Sequence, residues 1–131
     1  MTPLVGIVLV SHRAEIAFGV RTLIAQMAGP GVVVAPAGGT DDGRTGTSYS
    51  RILGALRTAA TGEAGAVVLP DLGSSVLATR LVLTDHPGIH AVLADAPFLE
   101  GAVAAAVTAA SGAALPTVLK AAEEARHASK F

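Results

Sequence analysis

Four short runs of apolar residues constrain the fold of this 131-residue chain more than any other feature. The runs cover residues 4–10, 32–35, 66–69 and 91–93, and none of them alternates with polar residues. Continuous apolar runs are typical of strands buried on both faces, as in parallel sheets covered by helices. Segments of helical periodicity separate the runs. The pattern predicts a three-layer α/β fold, with an open sheet of four mainly parallel strands and flanking helices.

Five helices are predicted between and after these runs. The first carries Ile16, Val20, Leu23, Ile24 and Met27 and ends at Gly29-Pro30-Gly31; the second follows a Ser48 cap and stops at Gly62; the third runs from near Ser74 to before His86; the fourth starts after Pro97; and the fifth extends from Pro116 to about Ala128.

The third predicted helix is apolar around most of its circumference. Its apolar residues are Val76, Leu77, Leu81, Val82 and Leu83. A helix that flanks a small sheet normally keeps one polar face towards water. Either the core is crowded here or the surface self-associates, and we favour a homodimer.

Composition and charge narrow the class of protein. The formal net charge is −1, and only four aromatic residues occur, so the basic, aromatic face of a nucleic-acid-binding protein is not expected. The longest uncharged stretch, residues 101–119, is interrupted by Gly112 and Pro116 and therefore predicts two helices, not a membrane span. The absence of cysteine and of a basic region before the first apolar run leads us to expect a cytoplasmic protein. The length of 131 residues predicts a single domain covering residues 1–131.

Ligands of open parallel sheets bind beyond the carboxyl ends of the strands, where the strand order reverses. His12 lies two residues past the first apolar run, at such an end. An imidazole can act there as a base, a metal ligand or a nucleophile that accepts phosphate. The alternative is a histidine that merely caps the strand. No metal is expected, because His86, His90 and His127 lie in other segments and form no ligand pair.

Small and polar residues follow the second and third runs. Gly39 and Thr40 follow the second, and Asp71 follows the third with Ser74 and Ser75 close behind. We predict that Asp71 hydrogen-bonds one ring nitrogen of the histidine and leaves the other free to attack phosphorus. Gly39, Thr40, Ser74 and Ser75 are the candidate phosphate-binding residues, although each of the two serines is equally suited to capping a helix.

Four stretches together form a more specific pattern than any one of them. They read Gly-Ile-Val-Leu-Val-Ser-His-Arg at 6–13, Gly39-Thr40 through Gly46-Thr47-Ser48, Val-Val-Leu-Pro-Asp-Leu-Gly-Ser-Ser at 67–75, and Ala-Pro-Phe-Leu-Glu-Gly-Ala at 96–102. In this combination the chain resembles the phosphotransfer subunit of dihydroxyacetone kinases that depend on the sugar phosphotransferase system. That subunit is in turn similar to mannose-type enzyme IIA domains. The resemblance covers essentially the whole chain.

The resemblance implies a phosphoryl relay. Phosphoenolpyruvate charges enzyme I, which charges the histidine phosphocarrier protein, which would phosphorylate His12 on Nε2. The chain would then pass the group to ADP bound on the nucleotide-binding subunit of the kinase, acting as a phosphoenolpyruvate–glycerone phosphotransferase subunit. Asp71 would be the carboxylate partner of the histidine. The relay needs no cofactor bound to this chain.

Three alternatives remain at this point. A mannose-type enzyme IIA domain of a sugar permease would share the histidine and differ in its acceptor. A small tetrapyrrole metal chelatase also opens with a strand that ends in histidine, but Ser11-His12-Arg13-Ala14 departs from the Gly-His-Gly-Ser-Arg usual there. A non-catalytic ligand-binding or regulatory module would need no nucleophile.

Overall fold

The computed structural model describes residues 3–131; residues 1 and 2, which the predicted domain includes, lie outside the described residues. The strands and helices alternate along the chain until the last two helices, which follow one another. The strands are β1 (Gly6–Ser11), β2 (Val34–Gly38), β3 (Ala66–Pro70) and β4 (Ala91–Leu93); the helices are α1 (Ala14–Ala28), α2 (Tyr49–Ala59), α3 (Gly73–Asp85), α4 (Phe98–Ala110) and α5 (Leu115–Glu124), followed by a 3₁₀ turn (Ala125–His127). These elements confirm the predicted α/β fold.

All the strand pairs are parallel, and the strand order is β2-β1-β3-β4. From β1 the chain therefore passes to β2 on one side of β1, and it then returns to form β3 on the other side of β1. In the register, Ser11 is level with Gly38, and Val10 is level with Pro70. The residues that follow β1, β2 and β3 consequently meet at one end of the sheet, at the point where the strand order reverses.

Both faces of the sheet are covered by helices. Ile7 and Leu9 of β1 belong to the core cluster beneath α4 and α5, whereas Val8 and Val10 belong to the cluster beneath α2. Successive side chains of a strand point to opposite faces, so a strand covered on both sides needs apolar residues at every position. This explains why the strand runs do not alternate with polar residues.

The first helix, α1, forms as predicted, but the apolar residues that indicate it are only partly buried. Ala17 and Ile24 are completely buried, but Ile16, Leu23 and Met27 remain nearly half exposed. The buried residues of α4, which contacts α1, are one glycine and four alanines. Small residues let the backbones of two helices approach closely, so the inner face is defined by small side chains that a search for large apolar residues overlooks.

Helix ends agree with the predictions at some positions and differ at others. Ser48 caps α2 as predicted, accepting a hydrogen bond from the backbone N–H of Arg51 at 3.2 Å. However, α2 ends at Ala59, before the predicted stop at Gly62, because its last turn already lies against Gly6 at the start of β1. The predicted last helix is also shorter, since a 3₁₀ turn replaces its final residues.

The uncharged stretch 101–119 divides as predicted, between the end of α4 and the start of α5. Pro116 lies in the first turn of α5, where its missing N–H leaves no hydrogen bond unmade. Among residues 3–131, no helix has both the length and the apolar character needed to cross a membrane.

Close packing between α2 and β1 gives a test of the fold. A Cβ added to Gly6 would lie 2.2 Å from the carbonyl oxygen of Ala59, so Gly6→Ala is expected to lower the free energy of unfolding by about 2 kcal/mol or more. Gly54 lies in α2 with open space around it, so Gly54→Ala is the matched control and should stabilise by about 0.5–1 kcal/mol. Urea unfolding of both variants measures the difference. Equal stability of the two variants would contradict the packing described here.

Candidate functional site

The backbone of His12 is fixed from two sides. It follows the last residue of β1, and α1 begins two residues later. Its N–H donates to Asp71 Oδ2 at 3.0 Å, and its carbonyl accepts from the N–H of Gly46 at 2.9 Å. The loops that follow β2 and β3 thus both hold this residue. Its side chain is 18% exposed, which leaves part of the ring open to solvent.

The orientation of the ring is set by Asp71. Nδ1 of His12 lies 2.9 Å from Oδ1 of Asp71. An ionised carboxylate can only accept hydrogen bonds, so Nδ1 carries the hydrogen. In the neutral ring the lone pair is then on Nε2. The pair therefore presents Nε2 as the basic, nucleophilic nitrogen.

The carboxylate of Asp71 is itself held by several donors. Ser11 Oγ donates to Oδ2 at 2.9 Å, while Ser75 Oγ and the N–H of Leu72 donate to Oδ1 at 2.6 and 2.7 Å. Burial raises the pKa of Asp71, but the hydrogen bonds from Ser75, from the N–H and ring of His12 and from Ser11 outweigh burial and lower the pKa from 3.8 to about 2. Asp71 is therefore an anion throughout the neutral range.

Ser74 lies on the other side of the ring. Its hydroxyl is within hydrogen-bonding distance of Nε2 and can donate to the lone pair, and the residue is exposed. Ser74 belongs to the first turn of α3, whose N-cap, Leu72, makes no side-chain capping bond. Within the described residues, the N–H groups of Gly73 and Ser74 have no hydrogen-bond acceptor. Such free N–H groups at a helix N-terminus attract anions.

The remaining predicted residues have other partners. The N–H of Gly39 donates to Ser11 O, the N–H of Thr40 donates to Arg44 O, and the Thr40 hydroxyl donates to Asp42. Their predicted role in phosphate binding remains a prediction. Ser75 is completely buried, and its hydroxyl donates to Asp71. In the structure Ser75 therefore supports the carboxylate, and its predicted contact with phosphate remains a prediction.

Ser11 belongs to this candidate site, although it is not among the residues predicted from the sequence. It is completely buried, and its hydroxyl makes the hydrogen bond to Asp71 described above. The available signal was a hydroxyl at the end of an otherwise apolar strand run. A buried hydroxyl needs a hydrogen-bond partner, and Asp71, directly after the neighbouring strand β3, is a carboxylate that can accept from it.

A cleft of about 340 Å³ opens beside this site, between the carboxyl ends of β3 and β4. Asp71, Gly73, Val76 and Arg80 line it on the side of α3. A larger cavity of about 810 Å³ lies among Leu4, Glu63 and His90, which precede the strands, and is therefore at the opposite end of the sheet from His12.

Fold and site together define an open parallel α/β domain that presents a carboxylate-oriented histidine where the strand order reverses. Residues 6–119 match the EIIA-man family model, described as the PTS system fructose IIA component. The chain belongs to this enzyme IIA family, as the sequence resemblance predicted.

Two similar proteins are both named as the subunit DhaM of a dihydroxyacetone kinase. The chain is 37% identical over 107 residues to the phosphoryl donor subunit DhaM of PEP-dependent dihydroxyacetone kinase 2 from Listeria innocua, covering 79% of this chain and 85% of the relative. It is 33% identical over 116 residues to the phosphotransferase subunit DhaM of the PTS-dependent dihydroxyacetone kinase of Lactococcus lactis, covering 86% and 89%. A solved structure of a protein of unknown function superposes with a TM-score of 0.81 at 32% identity, covering 92% of this chain and 94% of the other.

The lowered pKa of Asp71 predicts how its stabilising effect depends on pH. Because the folded-state value lies below 3.8, the stabilisation is fully present above about pH 4 and is lost as the pH falls towards 2. At pH 6, Asp71→Asn should lower the free energy of unfolding by about 2 kcal/mol, since it weakens hydrogen bonds to a charged group.

Urea unfolding between pH 6 and pH 2.5 measures this difference, which should shrink on acidification. Asp42→Asn serves as the control, because Asp42 forms an exposed ion pair with Arg44 and should change stability by less than about 0.5 kcal/mol. A difference for Asp71→Asn that is constant across this pH range would contradict the assignment of a low pKa.

Proposed function

We propose that this chain is a single phosphotransfer domain that carries a phosphoryl group on Nε2 of His12. In this proposal it is the phosphotransferase subunit of a dihydroxyacetone kinase acting in the cytoplasm, a component of a phosphoenolpyruvate–glycerone phosphotransferase. The histidine phosphocarrier protein is the donor, and ADP on the nucleotide-binding subunit of the kinase is the acceptor. The observation that carries the proposal is the 2.9 Å contact between His12 Nδ1 and Asp71 Oδ1, which leaves Nε2 as the nucleophile.

The charging step follows from this tautomer. The Nε2 lone pair attacks the phosphorus of the phosphorylated donor, a bond forms between Nε2 and phosphorus, and the phosphorus–nitrogen bond of the donor breaks. Its electron pair returns to the donor imidazole, and Nδ1 of His12 keeps its hydrogen throughout. The phosphorylated ring is then positively charged, and the ionised Asp71 beside Nδ1 stabilises that charge.

Groups on α3 are suited to hold the phosphoryl oxygens. The hydroxyl of Ser74 contacts Nε2 and can rotate to donate to a phosphoryl oxygen, because the side chain is exposed. The free N–H groups of Gly73 and Ser74 lie in the first turn of α3, the turn that carries the Ser74 hydroxyl, and favour negative charge. Neither a metal nor a nucleotide on this chain is required for these contacts.

The acceptor is proposed from the relatives. Two relatives covered over more than three quarters of their length are named as dihydroxyacetone kinase subunits, which supports a kinase acceptor. The family description names a PTS system fructose IIA component, which favours the second candidate, an enzyme IIA domain of a sugar permease. Both candidates use the same chemistry on His12 and differ only in what accepts the phosphoryl group.

We also propose that the chain forms a homodimer through α3. Leu77 and Leu81, one helical turn apart, are 67% and 56% exposed, and Leu72 before the helix is similarly exposed. Residues four apart lie on the same face of a helix, so the two leucines form a continuous apolar surface. The crowded core considered as the alternative does not account for these exposed leucines.

Phosphoryl labelling tests the assignment of the nucleophile. Incubation with labelled phosphoenolpyruvate, enzyme I and the histidine phosphocarrier protein should give one acid-labile, base-stable phosphate per chain, and His12→Ala should abolish it because the lone pair is lost. His127→Ala, in the exposed 3₁₀ turn near the carboxyl terminus, is the control and should label normally. Labelling of His12→Ala would refute the assignment. Discharge of the labelled protein to ADP-loaded kinase subunit or to a sugar permease then separates the two candidates.

Light scattering coupled to size-exclusion chromatography tests the dimer. The chain of 12.9 kDa should elute with twice that mass. Leu77→Ser combined with Leu81→Ser should shift it towards the monomer, because the shared apolar surface is lost. Ser substitutions at Leu23 and Met27, exposed apolar residues of α1, are the matched control and should leave the mass unchanged. A wild-type monomer, or a dimer that survives the α3 changes, would exclude this surface.

A further inference from the structure

The cleft beside the site follows one face of α3. Gly73, Val76 and Arg80 line it, and their spacing of three and four residues places them on a single helical face. Asp71, the residue that orients the His12 ring, lines the near end of the same cleft. The cleft thus begins at the carboxylate of the site and extends along α3 to Arg80, about 10 Å further along the helix axis from Gly73.

Arg80 is the one cationic side chain among the described residues that line this cleft. Arg80 is exposed, and among the described residues it forms no ion pair or side-chain hydrogen bond. The two carboxylates that line the cleft are already engaged. Asp71 accepts hydrogen bonds on both of its oxygens, and Asp95 pairs with Arg126 at 3.4 Å. The guanidinium of Arg80 is therefore available to an incoming anion.

The cleft that Arg80 lines favours a role towards one of the two partners. A donor imidazole brings a single phosphoryl group, which must sit at Nε2 of His12. A nucleoside diphosphate brings a second phosphate beside the one that attacks. Helical side chains lean towards the helix N-terminus, so Arg80 can reach back along the cleft towards Gly73 and towards a second phosphate bound there.

We propose that Arg80 binds the diphosphate of the nucleoside diphosphate acceptor during discharge of the phosphorylated ring, an inference that rests on the proposed function. A terminal oxygen of the diphosphate attacks phosphorus, a phosphorus–oxygen bond forms, and the bond between phosphorus and Nε2 breaks. The electron pair returns to Nε2, Nδ1 keeps its hydrogen, and a nucleoside triphosphate leaves. Arg80 offsets the repulsion between the two anions, with a planar fork that suits phosphate oxygens.

Separate rates for charging and discharge test this role. The full-length protein is charged by the phosphocarrier, purified, and mixed with nucleotide-binding subunit loaded with ADP in a single-turnover experiment. Arg80→Gln should slow discharge by about tenfold, as expected for loss of one hydrogen bond to a charged group, and Arg80→Lys should be intermediate. The charging rate should stay within about twofold of the wild type, since the donor brings a single phosphoryl group to Nε2 and no second phosphate for Arg80 to bind.

The dependence of the discharge rate on salt, and a control variant at a second exposed arginine, test the same role of Arg80. Discharge by the wild type should slow as salt rises, because an exposed ion contact is screened, and Arg80→Gln should lose most of this dependence. Arg57→Gln is the control, since Arg57 is an exposed arginine in the last turn of α2, the turn that lies against the start of β1. Melting temperatures of all variants should match that of the wild type.

Each other outcome overturns the inference. Discharge of Arg80→Gln at the wild-type rate refutes the role of Arg80 while leaving the proposed function intact. Equal slowing of charging and discharge, or the same slowing by Arg57→Gln, indicates a general charge effect and refutes it as well. A wild-type protein that charges on His12 but does not discharge to ADP refutes the proposed acceptor, and with it this inference; the wild-type experiment alone identifies that case.

Discussion

The carboxylate of Asp71 connects the sheet, the helix α3 and the ring of His12. Its two oxygens accept hydrogen bonds from the ring, from the N–H of the same histidine, from Ser11 at the end of β1, and from Leu72 and Ser75 around the start of α3. Because these donors come from the end of β1 and the start of α3, while the carboxylate itself follows β3, the orientation of the ring depends on the parallel arrangement of β1 and β3. Several hydrogen bonds to one anion keep it charged despite its burial.

Much of the fold is predictable from the sequence because burial on both sheet faces leaves a continuous apolar pattern. The strand runs, the cap at Ser48 and the break between α4 and α5 follow directly from local chemistry. The inner face of α1 does not, because it depends on the small residues of a helix far away in sequence, on α4. The end of α2 likewise depends on contact with Gly6. Such contacts between distant segments have no signal in the local pattern.

The candidate site is predictable to the level of residues, but not of hydrogen bonds. The rule that parallel strands present ligands at their carboxyl ends brings His12, Asp71 and Ser74 together correctly. The partner of each hydroxyl depends on side-chain rotation and on which neighbours are buried. Hence Ser75 and Ser11 both donate to the carboxylate, while the N–H of Gly39 donates to Ser11 O and the N–H of Thr40 donates to Arg44 O within the loop after β2.

In the proposed function one surface serves two unlike partners, and the hydroxyl of Ser74 bears on how it can do so. In the uncharged protein the hydroxyl occupies the lone pair of Nε2. Exposing that nitrogen requires only the rotation of one short side chain, a motion of picoseconds to nanoseconds for an exposed residue. The backbone of the loaded and empty forms can therefore remain the same. In the proposed function, such a carrier offers the same backbone surface to whichever molecule approaches, and its phosphorylated and unphosphorylated states differ in a single torsion angle and a single charged group.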